Sequence, residues 1–201
     1  WLGGRLLFDE TDVLICPLPL FHVFAAYPIL MSAIASGAHV VFPTPAGYRG
    51  EGVFDNFWKL VERWKVTFLI AVPTAISALM QRPVNADVST LRTALSGSAP
   101  LPLELYNRFK AATGVEIAEG YGLTEATCLV SCNPVDGAKK IGSVGIPLPY
   151  TQVRILRQTP DGYSECGTDE VGEICVKNPG VFAGSTYTEV DKNRNLFADG
   201  R

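Results

Sequence analysis

The sequence has little excess charge of either sign. Its 201 residues include 17 Lys and Arg and 20 Asp and Glu, which gives a net charge of −3, and the longest basic run is the pair Lys139-Lys140. Because nucleic-acid affinity depends largely on clustered basic side chains, we expect no nucleic-acid partner. Apolar residues make up 47% of the chain and charged residues only 18%, a balance typical of a globular protein with a substantial core.

Long uninterrupted apolar runs are also missing. The most apolar stretch, residues 23–42, is broken by Pro28, Gly37 and His39, whereas a membrane-spanning helix needs roughly 20 consecutive apolar residues. We therefore predict a helix, a turn and a strand in this stretch, and no transmembrane segment. The first residues lack the apolar core of a signal peptide, so we expect none there.

Cysteine pairs with metal-site spacing are absent. The five cysteines are an odd number and include no Cys-x-x-Cys pair: Cys16, Cys128, Cys132, Cys166 and Cys175. The spacing of Cys128 and Cys132 is compatible with one helical face. Only His22 and His39 could complete a metal site, so we expect no structural zinc. We favour buried thiols in a protein of the reducing cytoplasm.

Up to about residue 138, short apolar runs alternate with helical patterns. The predicted strands cover residues 13–16, 39–42, 67–72, 91–95 and 115–118, and the predicted helices cover residues 23–36, 53–64, 73–80 and 103–112. This alternation predicts the α/β class, with a mainly parallel sheet and flanking helices on both faces. Ligands of such sheets gather outside the carboxyl ends of the strands.

Beyond about residue 138 the pattern changes to alternation with a period of two. It is clearest in residues 152–156 and 172–177, and residues 160–162 between them are typical of a turn. This pattern predicts antiparallel hairpins in a small barrel or sandwich. We therefore expect an α/β subdomain at residues 1–138 and a β-rich subdomain at residues 139–201.

Two predicted loops have sequences suited to a ligand. In residues 119–126 two glycines flank Tyr121 and leave its ring open for stacking. Thr124 and Glu125 follow at a predicted helix start, where backbone N–H groups favour an anion, so the hydroxyl could hold a phosphate and the carboxylate Mg²⁺. Residues 96–102 are small enough to contact a flat ring. Taken alone, residues 119–126 are equally well explained as a strand–turn–helix junction in which Thr124 or Glu125 only caps the helix. Residues 96–102, taken alone, are better explained as an ordinary tight connection.

The hexapeptide at residues 120–125, Gly-Tyr-Gly-Leu-Thr-Glu, resembles the signature of adenylate-forming enzymes. This superfamily includes the acyl-CoA synthetases, the luciferases and the adenylation domains of peptide synthetases. Further segments in the same order strengthen the resemblance, which covers essentially the whole chain: residues 19–22, 72–74, 96–100, 142–147, 172–174 and Gly184. The resemblance implies an acetyl-CoA synthetase-like fold and an internal fragment of the large AMP-binding domain. It also implies a carboxylic acid, ATP and CoA as small-molecule partners, with Mg²⁺.

The resemblance assigns roles residue by residue. Tyr121 would stack on adenine, Thr124 would bind phosphate and Glu125 would bind Mg²⁺. His22 would border the carboxylate and the channel for the thiol, although a lone histidine in an apolar segment is also consistent with a hydrogen-bonded core residue. The other implied contacts are to the adenine ring and the acyl group, by residues Gly97, Ser98, Ala99, Pro100, Glu119, Gly120 and Gly122. We assign His39 a structural role.

Several parts of the superfamily pattern do not occur in the sequence. These are the phosphate loop ending in Pro-Lys, the Thr-Gly-Asp segment whose aspartate binds ribose, and the carboxy-terminal domain with its lysine. We therefore expect a fragment that is inactive by itself.

No acidic residue lies between Asp12 and Glu51, and a buried ammonium without a partner would be costly, so we favour an acyl or aryl acid over an amino acid as substrate. An amino-acid or luciferase-like adenylating enzyme, or a non-catalytic module of the same fold, are the alternatives.

Overall fold

The computed structural model describes residues 8–182, 186–193 and 196–197. Gly184, one of the positions that carry the resemblance to adenylate-forming enzymes, lies outside these described residues. None of the helices in the described ranges has the length and apolar character that a membrane crossing requires.

The larger sheet has seven strands. Their bounds are β1 Val13–Ile15, β2 His39–Val41, β3 Phe68–Ala71, β4 Thr93–Ser96, β5 Ile117–Leu123, β6 Cys128–Cys132 and β7 Ile146–Pro147. The spatial order is β2-β1-β3-β4-β5-β6-β7. The first five of these are parallel, whereas β6 and β7 are added antiparallel at one edge. The predicted α/β class with a mainly parallel sheet is therefore confirmed.

The helices follow the predicted pattern closely. The first, α1, spans residues 23–36 and has three consecutive parts. These are an α-helical start, Val23–Ala25, a π-helical segment, Ala26–Met31, and an α-helical end, Ser32–Ser36. The others are α2 Val53–Trp64, α3 Pro73–Met80, α4 Leu103–Thr113 and α5 Val190–Asn193. Gly37 and Gly114 adopt the left-handed conformation that ends α1 and α4, each with a φ of 75°.

The sheet is buried on both faces, because alternate residues of its strands enter two different cores. Ile15, Leu69 and Ile117 face the core that α2, α3 and α4 cover. Their neighbours, such as Leu14 and Ile70, face the core that α1 covers. This arrangement explains why the parallel strands are continuous apolar runs, and it leaves the loops at the strand ends as the accessible part of the sheet.

A second, three-stranded antiparallel sheet follows. It consists of β8 Gln152–Thr159, β9 Gly162–Glu165 and β10 Glu173–Lys177, in the order β10-β8-β9. The hairpin of β8 and β9 turns at residues 160–161, as predicted from the sequence. The predicted β-rich character of this part is confirmed. The division at residue 138 stays a prediction, and β7, which lies beyond it, pairs with β6 of the larger sheet.

One local prediction is wrong. Residues 119–123 are not a loop, because β5 continues through both glycines to Leu123. No α-helix begins at Thr124, where a single 3₁₀ turn, Thr124–Ala126, connects β5 directly to β6. Cys128 and Cys132 therefore lie on a strand and not on a helical face. The physical reason is that a side chain at Gly122 would overlap the carbonyl oxygen of Cys128, so this glycine serves close pairing of two strands.

Candidate functional site

A cavity of about 310 Å³ lies at the carboxyl ends of β4 and β5, beside the start of α1. Three separate segments line it: His22, Val23, Phe24, Gly97, Ser98, Gly120, Gly122, Leu123, Thr124, Glu125, Cys128 and Leu129. Seven of the eleven site residues that the sequence predicts are among them. The position agrees with the expectation that ligands of a parallel sheet bind at the carboxyl edge.

The cavity wall beside β4 is formed where the loop after β4, the start of α1 and β5 lie close together. β4 and β5 are neighbours, with Ser96 paired to Glu119, so the loops that follow them lie side by side as predicted. A Cβ at Gly97 would come within 3.0 Å of the ring of Phe24 and within 3.1 Å of the carbonyl oxygen of Gly120. The absence of a side chain at residue 97 therefore lets the loop after β4 pass between α1 and β5 without displacing either.

Three of the six non-glycine residues with a positive φ among the described residues lie at or beside this cavity. Ser98, Thr127 and Cys128 have positive φ angles of 68°, 52° and 86°, although none of them is glycine. Such conformations cost of the order of 1–3 kcal/mol each and are found most often at functional sites. At Thr127 and Cys128 they allow the tight reversal from β5 to β6 that places Thr124 and Glu125 at the edge of the cavity.

His22 occupies the N-cap position of α1 and lines the cavity. Its Nδ1 accepts a hydrogen bond from the backbone N–H of Phe24 at 3.1 Å. A ring nitrogen that accepts a hydrogen bond carries no proton, so the neutral imidazole has its proton on Nε2. The capping bond fixes the ring, and the side chain is exposed rather than buried in a core.

Further along α1, Pro28 has no backbone N–H and therefore cannot donate a hydrogen bond within the helix. The chain adopts its π-helical turn at this point. The hydroxyl of Ser32 donates a hydrogen bond to the carbonyl of Tyr27 at 3.0 Å, so an acceptor of the widened turn is satisfied.

Glu125 is held by contacts that the sequence did not indicate. Its Oε1 accepts a hydrogen bond from the phenol of Tyr187, and its backbone carbonyl accepts one from the N–H of Phe182 at 2.8 Å. The hydrogen bond to Glu125 raises the pKa of Tyr187 above its usual value. Within the described ranges, neither Glu125 Oε2 nor the hydroxyl of Thr124 makes a hydrogen bond, so both oxygens remain for a ligand.

Three other predicted residues do not line the cavity. Ala99 and Pro100 are exposed on the loop beyond Ser98. Tyr121 is half-buried and packs against the apolar cluster that contains Val176. Burial, and then the charge of Glu125, raise the pKa of Tyr121.

Glu119 does not face the cavity either, because its carboxylate is used inside the protein. Oε1 accepts a hydrogen bond from the N–H of Leu101 at 3.2 Å, and Oε2 accepts one from the N–H of Gly142 at 2.9 Å. The side chain is buried and connects the loop after β4 to the loop before β7. Asn133 adds to this connection, since its amide donates to the carbonyl of Ser143 at 2.6 Å.

Some lining residues were not predicted, notably Phe24, Cys128 and Leu129. The apolar run of residues 128–132 is itself a strand signal, and recognising it would have placed the first two residues of β6 beside the hexapeptide. Burial raises the pKa of the Cys128 thiol to about 12, so this thiol stays protonated near neutral pH.

A larger cavity of about 590 Å³ lies on the other side of Leu129, which lines both spaces. It is mostly apolar and is formed by α1, the start of β6 and the chain after β10: Tyr27, Met31, Ser32, Ala35, Ala126, Thr127, Leu129, Tyr150, Asn178, Pro179 and Gly180. No acidic side chain is among these residues. The smaller cavity contains one, Glu125.

The structure places a cavity, a glycine-rich strand and a carboxylate at the carboxyl edge of a mainly parallel sheet, the edge at which ligands of such sheets gather. The chain belongs to the AMP-binding enzyme family, which it matches over residues 2–186. The superfamily that the hexapeptide suggested is therefore confirmed.

Individual relatives are CoA ligases. The chain is 36% identical over 179 residues to marinolic acid–CoA ligase of Pseudoalteromonas sp., an alignment that covers 88% of this chain and 27% of that protein. ATP-bound MatB from Rhodopseudomonas palustris is similar with a TM-score of 0.84 and 30% identity, covering 98% of this chain and 37% of MatB. O-succinylbenzoate coenzyme A synthetase from Bacillus subtilis, in complex with ATP and magnesium ion, has a TM-score of 0.78 and 27% identity over 98% of this chain and 39% of that structure. The chain thus spans about a third of the length of these relatives, and their structures confirm the acetyl-CoA synthetase-like fold.

Proposed function

We propose that this chain forms part of the AMP-binding domain of an ATP-dependent acid–thiol ligase. The enzyme would activate a carboxylic acid as acyl-AMP and then transfer the acyl group to CoA. The observation that carries the proposal is the 310 Å³ cavity, which unites His22, the loop after β4 and the Thr124–Glu125 pair from distant parts of the sequence. Membership of a family whose relatives are CoA ligases supports it.

The nucleotide would bind across the ends of β4 and β5. The adenine ring would lie beside the 310 Å³ cavity and not inside it, because Ala99, Pro100 and Tyr121 do not line that space. The small residues 97–100 would cover one side of the ring and Tyr121 would approach it from β5. The hydroxyl of Thr124 would donate a hydrogen bond to a phosphate oxygen. Glu119 would act indirectly, by holding the loop that contains Leu101 in position.

The donor set at the cavity edge fits magnesium. Mg²⁺ takes one or two protein carboxylates and otherwise water and substrate phosphates, and Glu125 offers a single carboxylate with one oxygen not hydrogen-bonded. Among the described residues no group of three or more His, Cys, Asp or Glu side chains could enclose a metal by itself. Bound Mg²⁺ would neutralise phosphate charge during transfer of the adenylyl group. Glu125 would hold the ion at the cavity edge.

The acid would enter beside His22 and the glycines of β5. Gly120 and Gly122 present backbone without side chains, so the acyl group can pass close to β5. The capped ring of His22 directs its Nε2–H away from the helix, where it can donate to an oxygen of the acid. We further propose that a neutral acyl chain extends past Leu129 into the 590 Å³ apolar cavity.

The test is a comparison of acids by pyrophosphate release in the intact protein. Neutral aliphatic and aromatic acids should be activated and amino acids should not, because the described residues that line the two cavities include no carboxylate besides Glu125 for an ammonium group. A Glu125→Gln variant should lose roughly 100-fold or more in rate, the scale for one electrostatic contact in a transition state.

Glu116→Gln is the matched control, since this half-buried carboxylate pairs with Lys110 away from the cavity. It should leave the rate unchanged. A preference for amino acids would replace the proposal by an amino-acid-activating enzyme. Absence of any acid-dependent pyrophosphate release in the intact protein would favour a non-catalytic module.

We also propose a cytoplasmic location for the protein. The buried thiols Cys16 and Cys128 fit this location, because the cytoplasm is reducing.

A further inference from the structure

The segment that follows β10 contacts the turn that carries Glu125. The hydroxyl of Thr127 donates a hydrogen bond to the carbonyl of Gly180, and the N–H of Phe182 donates to the carbonyl of Glu125. A Cβ at Gly180 would approach Thr127 Cβ to 2.9 Å, so the two backbones are in close contact here. We call residues 178–182 the strap. The strap fixes the backbone of the turn between β5 and β6 from the side of the smaller sheet.

The side chain of Glu125 is fixed separately, by Tyr187. The Tyr187 phenol donates its hydrogen bond to Oε1, and its ring packs edge-on against Phe182 of the strap, with 6.3 Å between the ring centroids. Asn193 holds the backbone of Tyr187 in turn. Its Oδ1 accepts from the N–H of Tyr187 at 3.0 Å, and its amide donates to the carbonyl of Tyr187 at 2.6 Å.

We propose that Tyr187 is a positioning residue for the metal ligand Glu125, a role that rests on the proposed function of that carboxylate. A glutamate side chain has three rotatable bonds, and fixing them costs conformational entropy. The hydrogen bond from Tyr187 to Oε1 orders the side chain of Glu125 before the metal binds, so that this entropy is not lost on binding. It leaves Oε2 for the ion. Groups that orient a metal-binding carboxylate typically contribute 10–100-fold to metal affinity or activity.

The test uses Tyr187→Phe in the intact protein. The substitution removes one hydroxyl and keeps the ring that packs on Phe182, so the thermal unfolding midpoint should change little. Binding of Mn²⁺ as a paramagnetic probe in the presence of ATP should weaken by roughly 10-fold. The Mg²⁺ concentration that half-saturates pyrophosphate release should rise by a similar factor, whereas the KM for the acid should stay the same.

Tyr163→Phe is the matched control. Tyr163 lies on β9 and lines the same small cavity behind Glu125 as Phe182, but it forms no hydrogen bond with Glu125. Loss of the Tyr163 hydroxyl should leave Mn²⁺ binding unchanged. Unchanged Mn²⁺ binding in Tyr187→Phe would overturn the inference, and so would tighter binding, because the phenol would then compete with the metal.

Glu125→Gln separates failure of this inference from failure of the proposed function. If Mn²⁺ binding falls in Glu125→Gln and not in Tyr187→Phe, only the positioning role is wrong. If Mn²⁺ binding survives in both variants, Glu125 is not the metal ligand and both proposals are wrong.

Discussion

Glu119 is a buried carboxylate without a cationic partner among the described residues. Removing a charged group from water is costly unless hydrogen bonds replace the lost hydration. Here two backbone N–H groups, of Leu101 and Gly142, supply one hydrogen bond to each oxygen. Because these donors belong to two different loops, Glu119 fixes the distance between the loop after β4 and the loop before β7.

We predict that Glu119→Ala destabilises the chain strongly. It leaves the buried N–H of Leu101 and the part-buried N–H of Gly142 without their acceptor, at about 1–3 kcal/mol for a buried donor and less for the part-buried one. Urea denaturation should show a lower midpoint with the slope unchanged. Glu116→Ala provides the comparison, because Glu116 is half-buried and its ion pairs with Lys110 and Lys139 should contribute less than about 1 kcal/mol. Equal losses in the two variants would show that Glu119 does not connect the loops.

Residues with a local signal could be predicted, and residues that act over long range could not. Thr124 and Glu125 stand in a specific hexapeptide, and the structure places both at the cavity. Tyr187 lies 62 residues from the carboxylate that it contacts, in a segment without a motif. The contact between Tyr187 and Glu125 depends on how the smaller sheet packs against β5 and β6, which the sequence pattern does not specify.

At the scale of elements, the difference between local and long-range signals explains which helix and strand bounds were predicted correctly. Helices α2 and α3 begin and end as predicted, because an apolar spacing of three and four residues and the N-terminal Pro73 are local signals. The end of β5 was not predictable in this way. Glycine is typical of loops, and only the position of the Cys128 carbonyl shows that Gly122 makes room for a neighbouring strand.

Strand β6 separates the two cavities and therefore offers a test of where the acyl chain lies. Leu129 lines both spaces, whereas its neighbour Val130 is buried on the opposite side of the strand. Leu129→Ala should join the cavities and shift the preference of the intact enzyme towards longer neutral acids, measured as the ratio of kcat/KM values across a chain-length series.

Val130→Ala is the control for this substitution. Both truncations remove buried methyl groups and should lower stability, at about 2–5 kcal/mol for leucine to alanine. Only the change at Leu129 should alter the preference for chain length. The same shift in both variants would mean that the effect comes from loosened packing. No shift in either would mean that the acyl chain takes another path.

At the scale of the whole molecule, the two edges of the parallel sheet have different roles. The amino-terminal edge carries a closed polar cluster, in which the buried Asp12 accepts hydrogen bonds from Arg92 and from the hydroxyl of Thr67. The carboxyl edge carries small residues, strained backbone and the cavity. The parallel core was predictable from its repeated strand and helix pattern. The antiparallel addition of β6 and β7 was not, because the apolar run of residues 128–132 indicates a strand but not its direction, and β7 has only two residues.

The composition of the cavity wall leads to a prediction for the isolated chain. Forming an acyl-adenylate brings a carboxylate against a phosphate, and two anions repel. Fixed cations or N–H donors must offset that repulsion. Among the described residues that line the 310 Å³ cavity there is no Lys and no Arg, and His22 is the sole basic side chain.

We therefore expect the 201-residue chain to fold at least in part and to release no measurable pyrophosphate from ATP with any acid. Each missing electrostatic contact removes a factor of roughly 100 or more. Calorimetry should show only weak binding of ATP with Mg²⁺, because the hydroxyl of Thr124 and the carboxylate of Glu125 alone face three phosphates. The control is the intact protein of the proposed function, assayed under identical conditions with the same acids. Turnover by the isolated chain would show that the cationic groups lie elsewhere within it and that the reaction does not take place in this cavity.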